Sequence, residues 1–277
     1  MSAPSPVSEP YGLRHPEVRA LRELARDARA RADAGACLLE GPRVIDAALE
    51  RDADLTGAYF GDGAVGAFPE IATRLARAGV PVHTLREGVL EKVGTTRTPQ
   101  PVLAVARWSP QRISDVVGLA DDGFLVVTVD VADPGNLGTI LRGAEAAGAV
   151  AVVVTGRSVD VRSPKVVRAS AGALFGLPVV EAGDPAAALD GLRASGVRAY
   201  AAVARGGSAP ASVPLGRESA IVVGNEAHGL DAALMDHLDG TVTIPMAGAA
   251  ESLNVAMAAT VLCFEAARQR ADAEAGA

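Results

Sequence analysis

The sequence is poor in the residues that most often betray a function. Its 277 residues include one tryptophan, three tyrosines and five phenylalanines, so flat platforms for stacking a planar ligand are scarce. Two cysteines, Cys37 and Cys263, match no metal or redox spacing and exclude a disulfide framework. Cys263 sits inside an apolar helical pattern and reads as a small core residue. Lys92 and Lys165 are the only lysines. Basic character is therefore nearly all arginine, whose planar fork suits phosphate but whose excess can equally follow genome composition. No apolar run is long enough to span a bilayer and the N-terminus has no signal-peptide core, so a cytoplasmic protein without a membrane partner is expected. A formal net charge of −7 does not advertise a nucleic-acid protein, but the total hides a split. Residues 1–110 carry 14 basic and 14 acidic side chains, whereas 111–277 carry 12 and 19.

What is present is largely apolar. Hydrophobic residues make up 49% of the chain, enough for a sizeable core, and the length fits two domains or one large one. Residues 1–13 hold three prolines and three serines and read as a flexible tail. From Pro16, Val18, Leu21, Leu24, Ala25 and Ala28 recur at helical spacing. Arg19, Arg22, Arg26 and Arg29 line another face, one that is ordinarily solvated. CLLEGPRVIDAALERD (37–52) reads as a strand to Gly41, a helix start at Pro42 and an apolar helical stripe. Strands at 58–60 and 81–84, a helix at 70–78, and the polar loop and strand of GTTRTPQPVLAVA complete a small α/β domain over 14–107. Residues 108–120 read as a linker, 121–270 as a second domain and 271–277 as a tail. In that second domain, strands at 124–130, 150–154, 178–180, 197–203, 219–223 and 241–244 alternate with helices at 138–147, 164–173, 185–195 and from about Ser252. The alternation predicts a largely parallel sheet with helices on both faces, whose ligand loops lie at the carboxyl ends of the strands. The closing helix is apolar on nearly every side, with Leu253, Met257, Val261 and Phe264 in step, and is expected to be buried.

Four loops offer chemistry. In DPGNLGTILRGAEAAG (133–148), the glycines lack the G-x-G-x-x-G spacing, which disfavours a nicotinamide enzyme. Asn136 is a turn or cap residue or a ligand contact; Arg142 is a surface partner of Glu145 or a cation within reach of the crevice. In DVRSPKVVRASAGALFGLP (160–178), Arg162, Lys165 and Arg168 form the densest basic patch of an acidic domain, either solvated or phosphate-binding. IVVGNEAHGL (221–230) ends a strand at Gly224, where a ligand ring can lie against the backbone. Glu226 would hold a basic side chain or cap a helix, and His228, with no partner at ligand spacing, reads as structural. In TVTIPMAGAAESLNVA (241–256), Pro245 stops a strand, and Ser252 and Asn254 stand beside the unpaired amides of a helix start, as caps or as pocket groups.

Each loop alone is weak. In order on one α/β domain, N-x-G-x-x-x-R (136–142), V-G-N-E-x-x-G (223–229) and I-P-M-x-G-x-x-E-S-L-N (244–254) are specific. Here the sequence resembles the SpoU (TrmH) family of S-adenosylmethionine-dependent RNA ribose 2′-O-methyltransferases. LLEGPRVIDAAL and TTRTPQPVLAVA resemble the L30e-like RNA substrate-binding domain often found ahead of the catalytic one. The resemblance implies a SPOUT-type parallel sheet whose C-terminal segment threads a deep trefoil knot, and a homodimer whose site is completed across the interface. It implies S-adenosylmethionine and no metal, the donor being held by Gly224, Asn225, Glu226, Ile244, Met246, Ser252, Leu253 and Asn254. It also implies that Arg142 acts at the ribose with Asn136, Glu226, Ser252 and Asn254, and that Arg43, Arg97, Arg162, Lys165 and Arg168 contact RNA. A guanidinium rarely gives up its proton, its pKa being above about 12. Arg142 is therefore read as a charge that stabilises developing alkoxide, with the base left open.

Large-subunit ribosomal RNA is the expected substrate, because many tRNA-modifying relatives lack the appended domain. A tRNA substrate and an antibiotic-resistance role within the family are the alternatives. A non-catalytic RNA-binding protein is opposed by the retention of Asn136, Arg142, Glu226, Ser252 and Asn254. An ordinary doubly wound oxidoreductase is opposed by the missing glycine fingerprint.

Overall fold

The computed structural model of the chain describes residues 9–275. The packing divides it into two units. The first comprises the chain to Ser109 together with Asp160–Phe175; the second comprises Pro110–Val159 and Gly176 onwards.

The first unit is built on a four-stranded sheet of order β1-β4-β2-β3, with β1 Ala36–Glu40, β2 Leu55–Phe60, β3 Val82–Thr84 and β4 Val102–Arg107. β4 runs antiparallel to both neighbours, and β2 pairs in parallel with β3. The helix Pro16–Arg26 starts where proline at its first turn predicts, and buries Val18, Leu21, Leu24 and Ala25 against Leu38, Tyr59 and Leu103 of the sheet. A second helix, Pro42–Leu49, follows Gly41, whose φ of 99° only glycine adopts readily.

Three expectations need correction here. The tail predicted over 1–13 is held from Tyr11 onward: its amide donates to Thr84 O at 2.8 Å, and its ring stacks on His15 at 3.6 Å. Residues 1–8 lie outside the described residues. The helix expected at 164–173 is two short pieces, Pro164–Ala169 and Ala173–Gly176, broken where Ala171 and Gly172 take positive φ. Finally, Asp160–Phe175, placed by sequence in the second domain, packs with the first unit. Its short helix lies on β1, and Arg168 reaches Glu40. Asp160 takes Arg31 at 2.7 Å, and a Cβ on Gly172 would lie 2.7 Å from that of Ala47. Long-range ion pairs of this kind leave no periodic trace in a sequence.

The second unit is a six-stranded, wholly parallel sheet of order β10-β8-β9-β5-β6-β7. The strands are β5 Phe124–Val129, β6 Ala151–Thr155, β7 Val179–Ala182, β8 Arg198–Ala202, β9 Ser219–Val223 and β10 Gly240–Val242. β5, β6 and β9 are buried along their whole length, as expected of central parallel strands covered on both faces. From β5 the chain moves outward through β6 and β7, then returns to the other side of β5 for β8, β9 and β10. Strand order thus reverses beside β5, where β9 is its neighbour, and the loops leaving their carboxyl ends flank a natural ligand crevice.

Segment 108–120 is not an open linker. Gln111 bridges Val180, and a helical turn at Ile113–Val116 leads into a 3₁₀ turn at Val117–Asp122. The closing helix spans Val255–Ala275, so the tail expected from 271 is helical to Ala275. It covers β5 and β9 and packs on the helix Pro134–Ala146, where a Cβ on Gly143 would sit 2.5 Å from Thr260 Oγ1. Yet it is not buried all round. Ala256, Ala259, Leu262, Cys263 and Ala266 face inward, while Met257, Val261 and Phe264 are exposed. Among the described residues no helix is long and apolar enough to cross a membrane.

Candidate functional site

The carboxyl ends of β5, β9 and β10 supply the loops that form the site. After β5, Asp130 adopts a φ of 54°, a conformation that aspartate tolerates better than most residues. Its carbonyl accepts a hydrogen bond from Asn225 Nδ2 at 2.9 Å, which ties the β5 loop to the β9 loop. Asp133 then caps the next helix, its Oδ1 accepting from Asn136 N at 2.9 Å, and Pro134 occupies the first turn. The helix therefore starts at Pro134 and not near Gly138, and Asn136 lies in its first turn.

Asn136 is the middle of a relay of three side chains. Its Nδ2 donates to Glu226 Oε1 at 3.0 Å, and its Oδ1 accepts from Asn254 Nδ2 at 3.0 Å. Asn254 Oδ1 accepts in turn from the amides of Ala256 and Met257, so it caps the closing helix. The helix therefore begins at Val255, and Ser252 stands outside it. Glu226 also accepts from the amides of Ala132 and Asp133 at 3.2 and 3.0 Å. Burial by itself would raise the Glu226 carboxyl. The hydrogen bonds from Asn136, Asp133 and Ala132 outweigh it, and the group sits below the usual carboxylate range. A carboxylate holding three donors is a fixed acceptor that sets the amide of Asn136, and a poor proton acceptor.

Gly224 is required for a reason other than the one its position suggests. A Cβ there would lie 2.4 Å from the carbonyl carbon of Gly229. Asn225 and Gly229 exchange backbone hydrogen bonds at 3.0 and 2.9 Å, folding the loop back over Gly224. Close approach is real, but the close neighbour is the loop's own backbone.

Beside this relay lies a cavity of about 370 Å³. Of the residues predicted to hold a donor, Gly224, Asn225, Glu226, Ile244, Met246, Ser252 and Leu253 all line it, and Asn254 stands outside it in the relay. Val203, Val223, Val242 and Val255 add apolar wall. Two lining residues escaped sequence reasoning: His228, read as structural, and Glu251, whose carboxylate pairs with Arg205 at 3.1 Å. Glu251 is a fixed position of the I-P-M-x-G-x-x-E-S-L-N motif, but the motif assigned it no role. Size and lining fit a ligand with one flat apolar part and one polar end, as S-adenosylmethionine has.

Arg142 is exposed, does not line the cavity, and has no hydrogen bond or ion pair among the described residues. It lies six residues beyond Asn136, about 9 Å further along the helix axis. The basic residues of 160–178 are differently placed. Arg168 pairs with Glu40 at 3.2 Å; Arg162 pairs with Asp160 at 3.2 Å and its guanidinium lies over Trp108. Arg43 and Arg97 are exposed on the first unit, without a hydrogen bond or ion pair among the described residues, and Lys165 is exposed. Both thiols are inert: burial pushes Cys37 and Cys263 up to about 12.

Comparison with known proteins is consistent across sequence and structure. Residues 123–264 match the SpoU rRNA Methylase family, and residues 15–104 match the MRM3-like substrate binding domain. The 23S rRNA (guanosine(2553)-2′-O)-methyltransferase RlmP of Bacillus subtilis is 36% identical over 67% of this chain and 72% of its own. The 23S rRNA (guanosine-2′-O-)-methyltransferase RlmB of Xanthomonas axonopodis is 38% identical over 73% of this chain and 83% of its own. Among solved structures, the SpoU methyltransferase AviRb of Streptomyces viridochromogenes in complex with the cofactor AdoMet superposes with a TM-score of 0.80. That match has 29% identity and covers 93% of this chain and 100% of that one.

Proposed function

From the premise that the chain belongs to the SpoU rRNA methylase family, we propose that it methylates a ribose 2′-hydroxyl of large-subunit ribosomal RNA, with S-adenosylmethionine as donor. One observation carries the reading. The loops after β5, β9 and β10 are linked by the Glu226–Asn136–Asn254 relay along the edge of an amphipathic cavity. Relatives with the same architecture are named as 23S rRNA 2′-O-methyltransferases, and AviRb is solved with AdoMet bound.

When bound, the donor supplies an electrophilic sulfonium methyl. The chain's own residues enclose it and align the acceptor, which is where most of the acceleration of an in-line displacement arises. The aliphatic walls would hold the adenine, and the backbone at Gly224 and Leu253 would offer hydrogen-bonding groups to it. Asn136, held from both sides, presents a fixed amide dipole at the rim. Arg142 stabilises negative charge developing on the 2′-oxygen or grips the adjoining phosphate.

A second copy completes the site. The exposed stripe of Met257, Val261 and Phe264 supports a homodimer, since large apolar side chains in step along a helix mark an interface. Pairing would bring Arg142 of one copy to the crevice of the other. In the substrate-binding domain, spanning 14–107, Arg43 and Arg97 are assigned to phosphate, alongside other exposed arginines such as Arg19 and Arg22. Arg162 and Arg168, being paired, serve structure first. Methylation of ribosomal RNA belongs in the cytoplasm, and the trefoil knot implied by the resemblance belongs to the same reading.

The test is to incubate the purified protein and methyl-labelled donor with total RNA from cells lacking the gene. Label is expected at one 2′-oxygen of 23S RNA; label in tRNA alone, or none, overturns the proposal. Phe264→Glu is expected to halve the sedimenting mass and abolish transfer together.

A further inference from the structure

The cavity has a polar end whose charges the reaction does not explain. Val203, Val223, Val242, Ile244, Leu253 and Val255 form its apolar part, where a flat heteroaromatic group belongs. Ionisable side chains enter the lining at only three positions: Glu226, His228 and Glu251. Glu226 is already saturated by Asn136 Nδ2 and the amides of Ala132 and Asp133. That leaves Glu251 as the carboxylate with capacity for a ligand.

Glu251 does not stand alone. Its Oε1 accepts from Arg205 at 3.1 Å, and this pair links two loops: the one leaving β8, which lines the cavity through Val203 and Ala204, and the one leading to Ser252. Both side chains are exposed, 75% and 83%, so the pair itself contributes little to stability. A cation and an anion about 3 Å apart at the mouth are, however, complementary to a zwitterion whose ammonium and carboxylate share one carbon. An α-amino acid is such a group.

We infer that Arg205 and Glu251 form the subsite for the amino-acid tail of the donor, Arg205 taking the α-carboxylate and Glu251 the α-ammonium. The inference rests on the donor reading above and adds orientation: the nucleoside part lies in the apolar end and the tail points to the mouth. Binding exchanges one exposed ion pair for two charge-assisted contacts, and it draws the two loops together over the ligand. The pair therefore discriminates donors by their tails and leaves the nucleoside end to the aliphatic walls.

The experiment uses the full chain and three thioethers, all without the sulfonium charge, that differ only in the tail. These are S-adenosylhomocysteine, its decarboxylated form, and 5′-methylthioadenosine, which has no amino-acid group. Calorimetric titration is expected to show that Arg205→Ala and Glu251→Gln each weaken S-adenosylhomocysteine roughly tenfold while 5′-methylthioadenosine is unchanged. The decarboxylated ligand should be weakened by Glu251→Gln alone. Parallel loss of all three ligands would show a distorted pocket and overturn the subsite, as would an unchanged S-adenosylhomocysteine affinity in both variants. So would transfer of the tail-specific loss to His228→Ala. If neither S-adenosylhomocysteine nor 5′-methylthioadenosine binds the unmodified protein, the donor reading itself falls, a result distinct from any of these.

Discussion

The helix Pro134–Ala146 in the second unit and the helix Pro164–Ala169 in the first begin alike. Each has an oxygen-bearing cap, Asp133 or Ser163, a proline in the first turn, and an arginine one or two turns on. Their arginines fare oppositely. Arg168 is bound to Glu40, whose side chain is 1% exposed, because a buried carboxylate must be neutralised. Among the described residues Arg142 has no carboxylate partner, and the polar relay on its helix runs from Glu226 to the amides of Asn136 and Asn254. Where charge is structural it is paired inside the chain. Where charge is needed for an external group, the neighbouring contacts are made by neutral amides, and the cation keeps its capacity.

The contrast can be broken most sharply at Arg142. Arg142→Ala is expected to lower methyl transfer by about 10²–10³-fold, in line with losing one preorganised charge in a transition state. Donor affinity and melting temperature should be unchanged, and wild-type turnover in this variant would erase the distinction. Next comes Arg31, which is nearly buried and 2.7 Å from Asp160. Arg31→Ala is expected to cost about 3–5 kcal/mol in denaturant unfolding, because Asp160 loses its closest cation. Arg168→Ala should cost less, about 2 kcal/mol, since Glu40 keeps the amide and hydroxyl of Thr95. The double change with Glu40→Gln is expected to recover part of that loss. If Arg168→Ala abolished transfer without any stability change, its charge would belong with Arg142 instead.

The smallest effect is pH-dependent. The folded Glu226 carboxyl is depressed, so its stabilisation is fully present above the unfolded carboxylate value of about 4.3 and is lost as pH falls through the folded value. Hydrogen exchange at the Asp133 amide should still be protected at the unfolded carboxylate value and rise only as pH falls below it. Glu226→Gln is expected to remove that acid step.

Much of this was legible before any coordinates. The strand at Ser219–Val223 falls where its apolar run predicted, and helical spacing selected the four core residues of the Pro16–Arg26 helix, while Ala28, predicted with them, is exposed at the start of the next helix. Of the four loops nominated for a ligand, 221–230 and 241–256 share one cavity, 133–148 joins them only through the hydrogen bonds of Asn136, and 160–178 takes no part in it. Asn136 was nominated for the site, but its alternative as a turn or cap residue stayed open. Its two side-chain partners lie 90 and 118 residues away, which no local pattern encodes. His228 was read as structural and Glu251 stood in a motif without a role, because neither shows its place in the cavity until the facing loop is known.

The sequence by itself determined the elements, the parallel alternation, and the identity of the loops at the carboxyl edge. Periodicity, proline and capping act within a few residues, so they survive in one dimension. Tertiary structure alone decided that 160–175 packs with the first unit and that Gly224 yields to Gly229. It also decided that Met257, Val261 and Phe264 face outward from a helix whose pattern predicted burial. Those outcomes depend on which distant surface each segment meets, as Arg168 meets Glu40 across 128 residues. The free energy of such a meeting belongs to the pair and cannot be read from either member.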